Sequence, residues 1–286
     1  MAVSADQVPV VAVASGKGGV GKTTVAVNVA LALSALGVRV GLVDADLYGP
    51  DAAHMMGLRR RGSAEHVTLF AARGTRGSRL QAAERHGVQI ASAAFLIGEA
   101  QGLGVHAQLA QLLVHRLISG TTWDEVDCLV VDLPPGTADI QQLVFALGQR
   151  ATYALLVVTP QLVAHRDAHR LLHELERGTA VILGGIENMA GQVCPSCGEL
   201  TDLFTPAPAG EAIWTRVRRL ASVPFSSAAA ADADQGRPVM ITQAVPEQVT
   251  AYQLVARQVR AAVAAGPGAT ESGATGPGPA VPGAPG

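Results

Sequence analysis

The sequence predicts an α/β fold, a doubly wound and mostly parallel sheet with flanking helices. Three observations lead to this prediction. Short apolar runs without polar alternation recur along the chain, helix-like stretches separate them, and a glycine-rich phosphate-binding pattern joins the first run to the first helix. Continuous apolar runs are typical of strands buried on both faces, and strands that alternate with helices form parallel sheets.

Each element follows from the local pattern of residues. Apolar runs predict strands at 8–14, 38–46, 128–134, 153–160 and 180–188. Helices are predicted at 22–36, 104–118, 138–148, 163–176 and 246–264. Ligands bind such sheets at the carboxyl ends of the strands, so we expect the functional residues there.

Length and composition favour one compact domain followed by a tail. The chain has 286 residues, of which 49% are hydrophobic and 15% are charged. A chain of this size fits a single domain, which we expect to span 1–263. Residues 264–286 are rich in Gly, Pro and Ala and carry almost no charge. They cannot bury apolar surface and are expected to be disordered.

Charge, apolar patterning and cysteine content exclude several classes of function. The formal net charge of −2 gives no basic surplus for binding nucleic acid. No apolar run approaches the length of a membrane span, and residues 1–14 lack the basic start of a targeting signal. Three cysteines are too few for a disulfide framework. We therefore expect a cytoplasmic protein that binds neither nucleic acid nor membrane.

Residues 16–23, GKGGVGKT, match the phosphate-loop pattern G-x-x-x-x-G-K-[ST] between a predicted strand and a predicted helix. In this pattern backbone N–H groups surround phosphate oxygens, Lys22 reaches the β and γ phosphates, and the Thr23 hydroxyl ligates Mg²⁺. Lys17 is not required by the pattern and can equally be a solvated surface lysine. The predicted nucleotide-binding residues of the loop are Gly16, Lys17, Gly18, Gly19, Val20, Gly21, Lys22, Thr23 and Thr24.

Three aspartates lie at the ends of predicted strands. Asp44 and Asp46 alternate along one strand, so both carboxylates can point to one site, where each can hold Mg²⁺ or orient a water for attack on a γ-phosphate. Capping of a helix or a turn is the alternative use of these residues. Asp132 ends an apolar run and has the form of a Walker B aspartate, which binds Mg²⁺ through water.

Cys194 and Cys197 form the pattern C-P-S-C-G, which suits a metal ion or the edge of a cluster. A redox pair and a buried structural pair are the alternatives. Zinc sites and [4Fe–4S] clusters each need four protein ligands, and Cys128 lies within an apolar run, where we expect it to belong to the core. The cysteine pair therefore predicts a symmetric homodimer in which two copies complete one site.

The motifs together resemble the Mrp/ApbC family, within the MinD/ParA class of P-loop ATPases, over residues 9 to about 260. The resemblance is carried by GKGGVGKTT, DADLYGPD, DLPPGTAD and ENMAGQVCPSCG. It implies a slow ATPase that uses ATP and Mg²⁺ and holds a labile [4Fe–4S] cluster between two subunits. Cluster scaffold proteins and apo iron–sulfur client proteins are the partners that it implies.

The same resemblance implies roles for individual residues. Lys17 reaches across the dimer to phosphates on the partner subunit, and Asp46 acts on the attacking water, so Lys17, Lys22 and Asp46 are the predicted catalytic residues. Asp44 is a nearby group on the magnesium side. Asn188 reads the edge of adenine, since an amide can both donate and accept hydrogen bonds. A turn residue at the end of a strand is the other interpretation of Asn188.

Two other functions stay open at the level of the sequence. A ParA/MinD-like ATPase for positioning or partitioning fits the phosphate loop, but it predicts a C-terminal amphipathic anchor or a basic surface and has no use for C-P-S-C-G. A zinc-bridged dimeric ATPase with another client fits both motifs, because the cysteine spacing does not separate zinc from iron–sulfur.

Overall fold

A computed structural model describes residues 8–47, 49–58, 80–95, 107–134, 152–194, 196–197 and 199–266. The predicted helix at 138–148 lies outside the described residues, as does the expected tail after residue 266. The last helix reaches Ala265, so the first two residues of the expected tail are helical.

The described elements agree closely with the predicted ones. The strands are β1 (Val10–Ala14), β2 (Val40–Asp44), β3 (Leu80–Gln81), β4 (Ala83–Arg85), β5 (Val88–Ser92), β6 (Thr121–Thr122), β7 (Cys128–Asp132), β8 (Thr152–Val158), β9 (Val181–Val193), β10 (Leu200–Thr201) and β11 (Arg219–Phe225). The α-helices are α1 (Lys22–Ala35), α2 (Ala52–Met55), α3 (Ala107–Ser119), α4 (Leu162–Leu175), α5 (Ser227–Asp234), α6 (Val239–Thr242) and α7 (Pro246–Ala265).

The main sheet has the strand order β10-β9-β8-β1-β7-β2-β5-β4, and β11 pairs with β9. The strands from β9 to β5 along this order run parallel, whereas β4 and β10 are antiparallel to their neighbours. The chain continues from β1 to one side through β2 and β7 and to the other through β8 and β9. This order confirms the predicted doubly wound, mostly parallel sheet and places the crevice for a ligand at the carboxyl end of β1.

Both faces of the sheet are covered by apolar side chains, which explains the uninterrupted apolar runs. Val11 and Val13 of β1 belong to one core cluster, together with residues of α1 and α7. Val10 and Ala12 belong to the other, together with residues of α3 and α4. Strand residues alternate between faces, so a strand buried on both sides has no polar positions.

Helix α1 is buried around most of its circumference. Residues 25–33 are all buried, and α1 lies between the sheet and α7. A helix that is apolar on all sides is stable only inside a larger core. This burial fixes the N-terminus of α1 against the sheet, where the phosphate loop begins.

Six strands and three helices are additions to the predicted elements: β3, β4, β5, β6, β10 and β11, and α2, α5 and α6. β11 contains Pro224 and has a mixed burial pattern, so no simple periodicity marks it. Along the described ranges, no helix has both the length and the apolarity that crossing a membrane requires.

Candidate functional site

The phosphate loop connects β1 to α1, as the sequence predicts. Gly21 precedes α1 in the left-handed region, with φ of 82°, and no side chain caps the helix. The first turn of α1 contains no acidic residue, so its free N–H groups and the positive end of the helix dipole are available to an anion. A Cβ atom on Gly16 would overlap the backbone of Asp167 in α4, which explains why the loop begins with glycine.

The loop contains both lysines of the sequence, Lys17 and Lys22, in a chain that otherwise uses arginine for positive charge. Lys22 is buried, and its Nζ lies 3.5 Å from Oδ1 of Asp132. Lys17 is turned away from this pair. Its Nζ donates a hydrogen bond to Oε1 of Gln161 at 3.1 Å, and its carbonyl accepts one from the Ser15 hydroxyl at 2.9 Å.

Asp132 is completely buried at the carboxyl end of β7, next to the phosphate loop. Among the described residues neither carboxylate oxygen is in a hydrogen bond of standard length and angle, and Lys22 and Thr23 are the side chains whose donors approach the carboxylate. Burial raises the pKa of Asp132 to about 6, and the nearby Lys22 charge opposes this rise. Mg²⁺ prefers carboxylate and water oxygens, so this carboxylate fits a magnesium ion or a water bound to it.

Asp44 lies at the end of β2, beside β7, and organises the segment that follows. Its Oδ2 accepts hydrogen bonds from the Ser92 hydroxyl at 2.8 Å and from the Ala52 backbone N–H at 3.1 Å. Its Oδ1 accepts one from the Asp46 N–H at 3.3 Å. Burial, and next the charge of Asp132, hold the pKa of Asp44 well above its usual range. These contacts fit both predicted uses, a loop-capping residue and a group beside the metal.

Asp46 is half-buried and lies two residues beyond the end of β2, so the strand alternation predicted for Asp44 and Asp46 does not extend to it. Its Oδ1 accepts a hydrogen bond from the Gly49 N–H at 3.2 Å, which shapes the turn before α2. In the described part of the chain, no group of three or more His, Cys, Asp or Glu side chains forms a metal site. A magnesium ion here would therefore take most of its ligands from phosphates and water, as Mg²⁺ commonly does.

Asn188 lies on β9 and connects that strand to the phosphate loop. Its Nδ2 donates a hydrogen bond to the Val20 carbonyl at 2.8 Å. Asn188 also lines a cavity of about 160 Å³ next to α1. The other walls include Thr24, Phe225, Gln248 and Tyr252. The cavity adjoins the phosphate loop at Gly21, and the role of Asn188 towards adenine stays a prediction.

The two cysteines follow the end of β9. The Cys194 N–H donates to the Glu199 carbonyl at 2.8 Å, and β10 pairs antiparallel with the end of β9, so residues 192–194 and 199–201 form the two arms of a hairpin, which together with Cys197 is here called the cysteine hairpin. Both thiols are free, and Cys197 is exposed. The backbone N–H groups of Ser196 and Cys197 lower the pKa of Cys194, which favours the thiolate that a metal needs.

Cys128 has the surroundings of a core residue, as predicted. It is 1% exposed at the start of β7, and burial raises the pKa of its thiol to about 12. Its place inside the core makes Cys128 a packing residue. The cysteine hairpin therefore offers two candidate ligands among the described residues.

Several residues around the site were missed by the sequence analysis. Ser92 bonds Asp44, and its signal was a polar residue at the carboxyl end of an apolar run. Gln161 bonds Lys17 and carries no sequence signal for that contact. Ser226, which also lines the cavity beside Asn188, caps α5 by accepting a hydrogen bond from the Ala229 N–H. A serine before an alanine run is a recognisable N-cap signal.

The chain matches the family model ParA, described as NUBPL iron-transfer P-loop NTPase, over residues 7–260. The iron–sulfur cluster carrier protein of Haemophilus influenzae is 37% identical over 245 residues, which cover 83% of this chain and 61% of that protein. The carrier protein of the same name from Escherichia coli K12 is 34% identical over 253 residues, which cover 88% and 66%. The chain thus spans less than two thirds of the length of these relatives.

Solved structures show the same architecture. A nucleotide-binding protein from Archaeoglobus fulgidus in complex with ADP is 30% identical and superimposes with a TM-score of 0.65 over 85% of this chain and 91% of that chain. The cell division ATPase MinD from Pyrococcus furiosus, at 22% identity, has a TM-score of 0.62 over 88% and 98%. The likeness to MinD concerns the fold alone.

Proposed function

Because this chain belongs to the family of NUBPL-type iron-transfer P-loop NTPases, we propose that it is an ATP-dependent carrier of iron–sulfur clusters. It binds and slowly hydrolyses ATP, holds a [4Fe–4S] cluster between two copies of the chain, and passes the cluster from scaffold proteins to apo-proteins. The ParA/MinD-like positioning function is the weaker alternative, since it leaves the exposed cysteine hairpin without a use.

One observation carries this proposal. Strand β9 joins the phosphate loop to the cysteine pair, because Asn188 bonds the Val20 carbonyl and the same strand ends one residue before Cys194. The strand that contacts the phosphate loop thus leads directly to the half-buried Cys194 and the exposed Cys197, which supports a link between nucleotide and thiols. Such an arrangement suits a protein in which binding of ATP changes the affinity of the two thiols for a cluster.

The phosphates of ATP would lie on the N-terminus of α1. The N–H groups of the loop bind the phosphate oxygens, and Lys22 turns from Asp132 towards the β and γ phosphates. Lys17 supplies a second positive charge, delivered to the phosphates of the partner subunit. Phosphoryl transfer depends mainly on positioning and on compensation of charge, which is what two lysines provide.

Thr23 and Asp132, whose side chains lie within reach of each other, would hold the magnesium ion. When bound, it would neutralise charge on the phosphate oxygens during transfer. Asp46 orients the attacking water, and Asp44 holds Asp46 in place through the Asp46 backbone N–H. Hydrolysis is slow in this proposal because the site is complete only when the partner's Lys17 has reached it.

The cluster is the cargo of this chain. Cys194 and Cys197 of each copy supply two of its four ligands, and the exposed position of Cys197 lets a second copy approach. A cluster held at a subunit boundary is accessible from outside once the two copies separate. Transfer to an apo-protein therefore requires no opening of the core.

Anaerobic reconstitution with iron and sulfide tests the proposal. We expect a brown dimer with about four irons per two chains, and loss of colour in Cys194→Ala and Cys197→Ala. Cys128→Ala is the matched control, and it should keep the cluster because Cys128 is part of the core. A colourless protein that retains stoichiometric zinc would show a zinc-bridged dimer instead.

A further inference from the structure

Gln161 lies between the phosphate loop and the chain that follows the two cysteines. Its side-chain Oε1 accepts the hydrogen bond from Lys17 Nζ at 3.1 Å. Its backbone forms an isolated antiparallel bridge with Pro206, and the Ala207 N–H donates to the Pro160 carbonyl at 2.8 Å. Gln161 therefore contacts Lys17 through its side chain, and through its backbone it contacts Pro206, in the chain that follows the cysteine hairpin.

The segment that ends at Ala207 begins inside the cysteine hairpin. Glu199 accepts the hydrogen bond of the Cys194 N–H, and the next two residues form β10 against the end of β9. Few residues separate this pairing from the bridge at Pro206. The position of Gln161 is thus connected to the cysteine hairpin through a short, partly hydrogen-bonded stretch of chain.

Two connections run from the phosphate loop to the cysteines, and they differ in kind. The first runs through the buried Asn188 and along β9, which is paired with neighbouring strands, and it does not involve Lys17. The second depends on a single hydrogen bond to Lys17 and on a bridge outside any ladder. Elements with few hydrogen bonds open most easily, so the second connection is the one that can change.

The neutral amide of Gln161 suits a releasable contact. A lysine held by a neutral oxygen is bound less strongly than one paired with a carboxylate. A triphosphate carries several negative charges, so it competes readily for Lys17. Once Lys17 leaves, the Gln161 side chain has lost the partner that holds it against the phosphate loop.

We infer that Gln161 is a positioning residue that reports the place of Lys17 to the cysteine hairpin. In the absence of nucleotide it keeps Lys17 against its own subunit and supports the bridge to Pro206. Withdrawal of Lys17 to phosphates loosens this bridge and changes the accessibility of Cys194 and Cys197. The inference rests on the proposed nucleotide site, but not on the identity of the cargo.

Alkylation of the thiols in the apo-protein gives a direct test. The chain is treated with iodoacetamide without nucleotide, with ADP and with a non-hydrolysable ATP analogue plus Mg²⁺, and each cysteine is quantified by mass spectrometry. We expect the analogue to change the alkylation rates of Cys194 and Cys197 by about two- to tenfold, the range set by one hydrogen bond. Cys128, which is buried, is the internal control and should stay unmodified.

Variants at both ends of the connection test the role of Gln161. In Gln161→Ala and in Ala207→Pro, which removes the N–H that donates to Pro160, the response of the cysteines to the analogue should disappear while the analogue still binds. Gln161→Glu should preserve the response but require more analogue, because a carboxylate holds Lys17 more strongly. Gln81→Ala, at an exposed site on β3, is the matched control and should behave as the parent.

Acylation of amines provides a second readout, since Lys17 and Lys22 are the only lysines in the sequence. Lys17 should become more reactive in Gln161→Ala and less reactive in Gln161→Glu. A cysteine response that persists unchanged in Gln161→Ala and Ala207→Pro would overturn the inference, as would loss of analogue binding in both variants. Either result leaves the cluster reconstitution unaffected, so the two proposals fail separately.

Discussion

Asp44 and Asp132 are register partners on the adjacent parallel strands β2 and β7, and both carboxyl groups are completely buried. Burial raises the pKa of each, and the charge of Asp132 raises that of Asp44 further. Lys22 is the cation that pairs with Asp132, at 3.5 Å. Two buried carboxyl groups therefore share the positive charge of Lys22 at this edge of the sheet. An excess of carboxylate over cationic groups is the condition expected of a magnesium site.

Stability of the nucleotide-free protein should reflect the buried Asp132. Its pKa in the folded chain is about 6, above the ordinary value of 3.8, so its contribution to stability is complete only below pH 3.8 and is lost as the pH rises through 6. The loss is about 3 kcal/mol over the whole of this range. Thermal or urea unfolding between pH 3 and pH 7.5 measures it.

Asp132→Asn is the matched control for this pH dependence. His165, whose pKa is lowered by burial, acts in the opposite direction over part of the range, so the parent curve alone is ambiguous. The difference between parent and variant removes that effect. We expect the parent to lose stability relative to the variant as the pH rises, and parallel curves would show that Asp132 titrates normally.

The two lysines should separate binding from hydrolysis. Lys22→Ala is expected to weaken ATP binding about 10- to 100-fold, because a charged hydrogen bond to phosphate is lost. Lys17→Ala should weaken ATP binding much less than Lys22→Ala does, but it should hydrolyse ATP at least about 100-fold more slowly, as loss of a charge delivered across a dimer would cause. Titration calorimetry and phosphate release measure the two effects, and a parental rate in Lys17→Ala would rule out action on the partner subunit.

Asp44 and Asp46 should differ in what their removal costs. Asp44→Ala leaves the Ser92 hydroxyl and the Ala52 N–H without their buried acceptor, so we expect a loss of about 2–4 kcal/mol in the free energy of unfolding. Asp46→Ala, at a half-buried position, should cost less stability yet abolish hydrolysis with ATP binding retained. If both changes lowered the free energy of unfolding equally, Asp44 would not be the structural residue and Asp46 the catalytic one.

The sequence predicted the strands and helices that surround the phosphate loop because their signals are local. The run before Gly16 is buried on both faces, and the helix after Gly21 is mostly apolar from residue 25 to residue 33, so each has a pattern that a short window can detect. The loop itself is defined by consecutive residues. Its identification therefore did not depend on knowing what packs against it.

The cavity beside Asn188 and the hydrogen bond between Lys17 and Gln161 could not be predicted from a local pattern. Phe225, Gln248 and Tyr252 meet Asn188 only because β11 and α7 return to the sheet far along the chain. Gln161 meets Lys17 across 144 positions of sequence. Such contacts are set by the order of strands in the sheet, and neither residue carries a local pattern that indicates its partner.

Gly21 and Asn188 should be energetically coupled. A Cβ atom on Gly21 would overlap the Asn188 amide, and Gly21 has φ of 82°, where alanine is strained. Gly21→Ala is therefore expected to reduce ATP affinity at least about tenfold, which corresponds to about 1.4 kcal/mol. Asn188→Ala should also weaken binding, since it leaves the Val20 carbonyl without its donor.

The double variant Gly21→Ala with Asn188→Ala separates two causes of the lost ATP affinity: backbone strain at Gly21, and overlap of the new methyl group with the Asn188 amide. Removal of the amide makes room for the methyl group, so the loss of affinity in the double variant should be smaller than the sum of the two single losses by about 1 kcal/mol or more. ATP dissociation constants for the four proteins complete this cycle. Strict additivity would mean that backbone strain at Gly21 accounts for its effect and that Asn188 does not hold the loop.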